Sequence, residues 1–79
     1  MKKIDKLRSY VLENDFKMTI LDDKIDIINY LSVEHFDLNK VIIEYPKGYI
    51  HINGNNLVVT RLVTDEILIT GSMKTIEFR

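Results

Sequence analysis

The chain has 79 residues, a formal net charge of −1, no cysteine and 46% hydrophobic residues. A chain of this length makes one small domain that buries only about 60% of the surface its unfolded chain exposes. It has no disulfides and no Cys/His metal cluster to add stability. The mixed charge argues against the basic stripe of a nucleic-acid-binding protein, and no segment approaches the roughly 20 apolar residues of a membrane span. We expect one soluble domain over residues 1–79, attached at most to a membrane surface.

The first 14 residues are predicted to form a short amphipathic α-helix. Ile4, Leu7 and Val11 recur at i, i+3 and i+7, and Asn14 is typical of a helix end. The segment has four basic and two acidic side chains, a local excess of two positive charges. Two interpretations stay open: the helix packs on the sheet or a partner, or it lies on an anionic membrane surface.

From Met18 onward the sequence has a β pattern, with short apolar segments separated by turn signals. Ile50 and Ile52 alternate with polar or aromatic neighbours, as on a strand with one buried face. The turn signals lie at 22–23, 46–48, 54–56, 64–65 and 71. They predict a mainly β domain: an antiparallel meander of six or seven strands that forms a sandwich or partial barrel.

Three glycines, Gly48, Gly54 and Gly71, are predicted to close turns. Glycine adopts positive φ without steric cost, so a β-branched residue at Gly54 or Gly71 should lower stability if φ is positive there.

The segments "IHINGNNLVV" and "ILITGSMKTI" share the pattern I-x-I-x-G, seventeen residues apart. Convergence on a common hairpin sequence is the favoured explanation, and a short solenoid-like stack is the alternative.

Three strands are apolar on both faces, and a sheet in water has only one face to bury in its own core. They are "VII" at 41–43, "LVV" at 57–59 and "ILI" at 67–69. A helix about 10 Å wide can cover about two strands spaced 4.8 Å apart, so apolar surface remains for another subunit or protein. The candidate interface consists of Val41, Ile42, Ile43, Leu57, Val58, Val59, Ile67, Leu68 and Ile69, with Ile4, Leu7 and Val11 of the helix as a second candidate.

The sequence contains no recognisable catalytic constellation. His35 and His51 are the only side chains suited to acid–base work near neutral pH. His51 is expected at the surface or an interface, and the spacing of His35 from Glu34 and Asp37 does not provide the convergent geometry of a metal site. No calcium-loop or zinc-ligand spacing is present, so we expect no metal, no cofactor, no small-molecule substrate and no enzymatic activity. The competing class is a small nucleic-acid-binding barrel whose aromatic residues stack on bases. The net charge of −3 after residue 14 (−1 overall less the +2 of residues 1–14) disfavours it.

The order of the β segments resembles the YabP/YqfC family of small sporulation proteins. The likeness covers residues 18–79 and begins with "SVEHFD" at 32–37, followed by a short apolar strand and glycine in "VIIEYPKG". It continues with Ile50, Ile52, Gly54 and Leu57, and it ends with Glu66, Leu68, Ile69, Gly71, Met73, Ile76 and Phe78. Asn29 replaces a frequent glycine, and Thr60-Arg61-Leu62 matches the middle strand only roughly. These departures leave the branch of the family open, with the YqfC branch preferred.

The resemblance implies a protein of the mother cell during sporulation. It would act in the cytoplasm or at the outer forespore membrane, in formation of the spore coat or cortex, beside a membrane-protein partner. No catalytic residues or cofactors are implied. Together with the spare apolar surface, this predicts a structural or assembly protein that self-associates, docks on a membrane partner, or both.

Overall fold

The computed structural model describes residues 16–79, which form six β-strands in one antiparallel sheet. The strands are β1 (Lys17–Ile20), β2 (Lys24–Ile28), β3 (Ser32–Phe36), β4 (Lys40–Tyr45), β5 (Gly48–Val63) and β6 (Glu66–Phe78). Their order across the sheet is β1-β2-β6-β5-β4-β3. The mainly β, six-stranded antiparallel fold is thus confirmed. The predicted meander is wrong, because β2 pairs with β6 and not with β3, the next strand along the chain. Within residues 16–79 the sheet stays open because β1 and β3 do not pair. The helix predicted at 1–14 lies outside the described residues.

The long β5–β6 hairpin joins two half-sheets. Half-sheet A contains β1, β2, residues 66–70 of β6 and residues 58–63 of β5. Half-sheet B contains β3, β4, residues 48–53 of β5 and residues 75–78 of β6. Two register shifts of the hairpin, at 53–54 and 55–58 of β5, lie between them, and a third, at 59–61, lies within half-sheet A; such shifts mark β-bulges. Bulges bend strands, which lets one hairpin pass from one half-sheet to the other.

The two half-sheets bury a single core. Half-sheet A supplies Ile25, Ile27, Ile67 and Ile69, half-sheet B supplies Val41, Ile43, Ile50 and Ile52, and Leu57 lies at the bend. All nine are at most 3% exposed. A side chain on one face of a sheet is buried only if something covers that face, so the half-sheets cover each other. The rings of Phe16, just before β1, and Tyr45, on β4, are 4.9 Å apart and join the two half-sheets.

The connection from β2 to β3 is only three residues long, although it passes from half-sheet A to half-sheet B. The N–H of Asn29 donates to Asp65 O, beside β6, and the N–H of Leu31 donates to Glu44 O on β4. Asn29 has a φ of 64°, a left-handed conformation that asparagine and glycine tolerate best. This explains how asparagine replaces the glycine that the family resemblance led us to expect here.

The turns predicted at 54–56 and at Gly71 are absent. Residues 48–63 form one continuous strand and residues 66–78 another, so Gly54 and Gly71 lie within strands, at the bend. Bulges and turns both favour Gly and Asn, and for this reason the sequence pattern did not distinguish them. Gly48, by contrast, follows the turn at 46–47 and begins β5.

The repeated I-x-I-x-G segments occupy equivalent places in the two half-sheets. Gly54 N–H donates to Asn39 O, and Gly71 N–H donates to Asp23 O, both at 3.0 Å. Asn39 and Asp23 immediately precede β4 and β2, the strands that flank β5 and β6 respectively. The domain therefore has an approximate two-fold arrangement, not a solenoid-like stack.

Candidate interaction surface

The C-terminal half of β5 is a free sheet edge. On one side, residues 58–63 pair with β6; on the other, β4 pairs with β5 only as far as Asn53. No other strand among residues 16–79 pairs with this stretch, which we call the β5 edge. Val58, Leu62 and Val63 are 52%, 54% and 43% exposed, an unusual share of apolar surface for an unpaired strand.

An apolar groove of about 420 Å³ lies beside the β5 edge. Its walls are Phe36 and Leu38, from the end of β3 and the β3–β4 turn, together with Leu57, Val58 and Val59 of β5. Leu57 is buried at its base, whereas Phe36 and Leu38 are 60% and 59% exposed. The turn is held against β5 because the N–H of Leu57 donates to Leu38 O at 2.9 Å. We call this feature the apolar groove.

Asp37, the only charged residue lining the groove, fixes the shape of the turn. Its Oδ1 accepts hydrogen bonds from the backbone N–H groups of Asn39 and Lys40, and its Oδ2 is 2.8 Å from Nε2 of His35. The hydrogen bond with His35, followed by the two backbone hydrogen bonds, lowers the pKa of Asp37 below its ordinary value. A carboxylate satisfied in this way is structural, and the rest of the lining is apolar.

The outer face of half-sheet A carries a pair of carboxyl groups between apolar side chains. Asp26 on β2 faces outward between the buried Ile25 and Ile27, and lies diagonally across from Glu66 on β6. A hydrogen bond with Asp26, and then desolvation, raises the pKa of Glu66. Oδ1 of Asp26 is shielded from solvent and has no hydrogen-bond partner among the described residues. No group of three His, Cys, Asp or Glu residues within 16–79 could hold a metal ion.

The structure divides the candidate interface residues by face. Five of them are in the core: Val41, Ile43, Leu57, Ile67 and Ile69. Ile42, Val59 and Leu68 are half-buried, and Val58 is exposed. Ile4, Leu7 and Val11 lie outside the described residues. The alternation within each two-faced strand therefore leaves Ile42, Val58 and Leu68 on the outside, and their role in an interface stays a prediction.

Sequence reasoning missed four exposed apolar side chains of this surface: Phe36, Leu38, Leu62 and Val63. Phe36 and Leu38 flank Asp37 in what reads as an ordinary turn. Leu62 and Val63 continue the apolar run of β5 past Arg61 to the break at Thr64, and this run was the available signal. His51 lies on the outer face of half-sheet B between Ile42 and Glu77, and is half-buried.

The sequence model of the YabP family matches residues 11–79 of this chain. The chain belongs to the YabP family. The match begins seven residues before the limit at residue 18 that the sequence resemblance set, and it does not separate the YqfC-like branch from the rest. No curated protein and no solved structure matches the chain. Membership of the YabP family indicates a sporulation-related protein. No helix in the described part of this YabP-family chain is long and apolar enough to cross a membrane.

Proposed function

We propose that this YabP-family protein is a non-enzymatic assembly protein of the spore envelope, acting in formation of the coat or cortex. It works in the mother-cell cytoplasm or at the outer forespore membrane, through self-association and contact with a membrane protein. The observation that carries the proposal is the continuous apolar surface made by the β5 edge and the apolar groove.

This surface has the composition of a protein-binding site. Five apolar side chains and one carboxylate line the groove, and that carboxylate is already hydrogen-bonded within its own turn. A substrate pocket needs polar groups that converge on a ligand to fix its orientation. The hydrogen-bonding groups that this surface offers are instead backbone N–H and C=O groups of the β5 edge, with which another strand can pair.

The test of the assembly role is complementation in sporulating cells that lack the gene. The wild-type chain is expected to restore resistant spores, whereas Phe36→Asp and Leu38→Asp variants, which place charge in the groove, are expected to fail at normal protein levels. Leu21→Asp is the matched control, because Leu21 is similarly exposed in the β1–β2 turn, outside the groove. Full rescue by both groove variants would contradict the proposal.

Localisation and nucleic-acid binding give independent checks. A fluorescent fusion is expected in the mother cell, and a signal confined to the forespore interior would count against this site of action. Oligonucleotide binding in low salt, where electrostatic binding is strongest, is expected to be absent. Salt-dependent binding would favour the nucleic-acid-binding alternative.

A further inference from the structure

We propose that the β5 edge pairs with the β5 edge of a second copy of this chain, as antiparallel strands about a two-fold axis. The inference rests on the self-association proposed above and identifies the surface and register that produce it. It would make half-sheet A of each copy part of one continuous eight-stranded sheet.

The β5 edge is the least protected edge among the described residues. Natural sheets block edge pairing with charged residues or with very short strands. The edge of β1 is four residues long and starts with Lys17, and β3 carries Glu34 and His35. The β5 edge carries a single charge, Arg61, in six residues.

The approximate two-fold arrangement supplies an internal comparison. The end of β6 is the counterpart of the β5 edge in half-sheet B, since it also has a pairing partner on one side only. At the positions seventeen residues on, it carries Glu77 and Arg79 where the β5 edge carries Thr60 and Leu62, and Phe78 where the β5 edge carries Arg61. Two edges with the same place in the fold thus differ in charge, and the apolar one borders the groove.

The β5 edge is complementary to itself in one register. Centring the axis between Thr60 and Arg61 sets Val58 opposite Val63, Val59 opposite Leu62, and Thr60 opposite Arg61 of the second copy. Side chains directly opposite each other in antiparallel strands share a face of the sheet, so each pair must agree in face. No like charges meet in this register.

The faces agree for every pair. Val59 and Leu62 pair with Ile69 and Ile67 of β6, both buried, and therefore lie on the inner face.

The remaining four residues of the edge lie on the outer face. Val58 and Val63 pair with Thr70 and Glu66, and Arg61 pairs with Leu68. Thr60 is the extra residue of a bulge, and its hydroxyl is 2.8 Å from that of Thr70, which places it on the outer face with Arg61.

The same register gives the apolar groove an occupant. Leu62 of the second copy lies opposite Val59 on the inner face, and Val59 lines the groove beside Phe36 and Leu38. Leu62 is 54% exposed in the single chain, so pairing would bury it in the groove of the other copy. The exchange is reciprocal, as a two-fold interface requires.

Cysteine cross-linking tests the register directly, because the chain has no cysteine of its own. V58C and V63C, each made in the full chain, are mixed and oxidised, and the mixed disulfide is identified by its intact mass. It is expected in the mixture because opposite residues lie within disulfide range. Each variant alone is expected to stay unlinked, since identical positions are five residues apart along the paired strands, about 17 Å.

Light scattering with a charge variant tests the energetics. Wild-type protein is expected to dimerise, and Leu62→Lys, which carries a charge into the apolar groove, is expected to weaken dimerisation by about tenfold or more. Leu21→Lys is the matched control, with a leucine of similar exposure outside the β5 edge, and should dimerise like wild type. Circular dichroism confirms that both variants are folded.

The outcomes separate this inference from the proposed function. A wild-type chain that stays monomeric at every concentration overturns both the edge pairing and the proposed self-association. A dimer that gives no mixed disulfide, and that Leu62→Lys leaves intact, overturns the β5 pairing and keeps self-association through another surface. A mixed disulfide together with an unaffected Leu62→Lys dimer overturns the insertion of Leu62 in the groove.

Discussion

Gly71 shows how one residue limits what the bend can accommodate. Its φ is 138°, and a Cβ atom added there would lie 2.6 Å from the backbone oxygen of Asn56. Gly54 differs, because its φ is not in the positive range, but an added Cβ would lie 2.1 Å from Ser72 O. Close approach of the two strands, and not φ alone, therefore excludes a side chain at Gly54 and at Gly71.

Gly71→Val is expected to lower the free energy of unfolding by at least about 2 kcal/mol, since it combines backbone strain with a clash against backbone atoms. Ser72→Val, at the adjacent exposed position, is the control and should change stability by about 0.5 kcal/mol or less. Urea denaturation monitored by circular dichroism measures both. Equal stability of the two variants would mean that the bend can relax around a side chain.

Glu66 gives the stability a predictable dependence on pH. Its pKa is raised in the folded state, mainly by the hydrogen bond with Asp26, so the folded chain holds this proton more tightly than the unfolded chain. The stabilising contribution of this proton is fully present at pH values below 4.5, the ordinary pKa of a glutamate. It is lost as the pH rises through the raised pKa of Glu66 in the folded state.

Glu66→Gln should remove that loss, because the amide stays neutral at every pH. Urea midpoints measured from just below pH 4.5 upward are expected to fall for the wild type relative to the variant. Glu77→Gln, on the last strand and away from Asp26, serves as the control for a missing carboxylate. A wild-type curve parallel to that of Glu66→Gln would show that the two carboxyl groups do not interact.

At the scale of the strands, the alternation of apolar and polar residues predicts the core residues better than it predicts where the strands begin and end. Alternation places Ile50 and Ile52 on a buried face, and both are buried, because a period of two is a local property of the sequence. The merging of two expected strands into β5 was not predictable from "Gly-Asn-Asn", which also suits a hairpin turn. Nor was the pairing of β2 with β6, since residues about 40 positions apart carry no local signal of their contact.

The candidate surface was only partly predictable for the same reason. Val58 was identified from its two-faced strand, whereas Phe36 and Leu38 become part of the surface only because the β3–β4 turn is held against Leu57. That contact depends on the folded hairpin, which sequence periodicity does not encode.

The two half-sheets should contribute similarly to stability. Ile52 and Ile69 hold equivalent places in the two I-x-I-x-G segments and are both 0% exposed. Ile52→Val and Ile69→Val are each expected to cost about 0.5–1.5 kcal/mol, because each removes one buried methylene. Ile42→Val, on the outer face, should cost less. Chemical denaturation measures the free energy of unfolding of all three variants. A loss for Ile42→Val as large as for the other two would show that the outer face is covered in solution.

At the scale of the whole molecule, one sheet supplies both layers of the fold. Bulges bend the β5–β6 hairpin so that half-sheet A covers the inner face of half-sheet B, and the nine core residues come from both. This accounts for the buried faces of the two-faced strands. Among residues 16–79, the β5 edge combines exposed apolar side chains with backbone that no other strand pairs, although Val63 O accepts a hydrogen bond from the Tyr30 hydroxyl at 2.8 Å.

The position of β6 also determines when this chain can fold during synthesis. β6 is the last of the six described strands to leave the ribosome. Like β5 it belongs to both half-sheets, and it is the described strand that joins β2 to β5. Until it emerges, β2 lacks its central partner, and Ile25 and Ile27 have neither Ile67 nor Ile69 beside them. The nascent chain must therefore keep the apolar residues of β2 without their β6 partners until β6 has been synthesised, a period in which chaperones and aggregation compete for it.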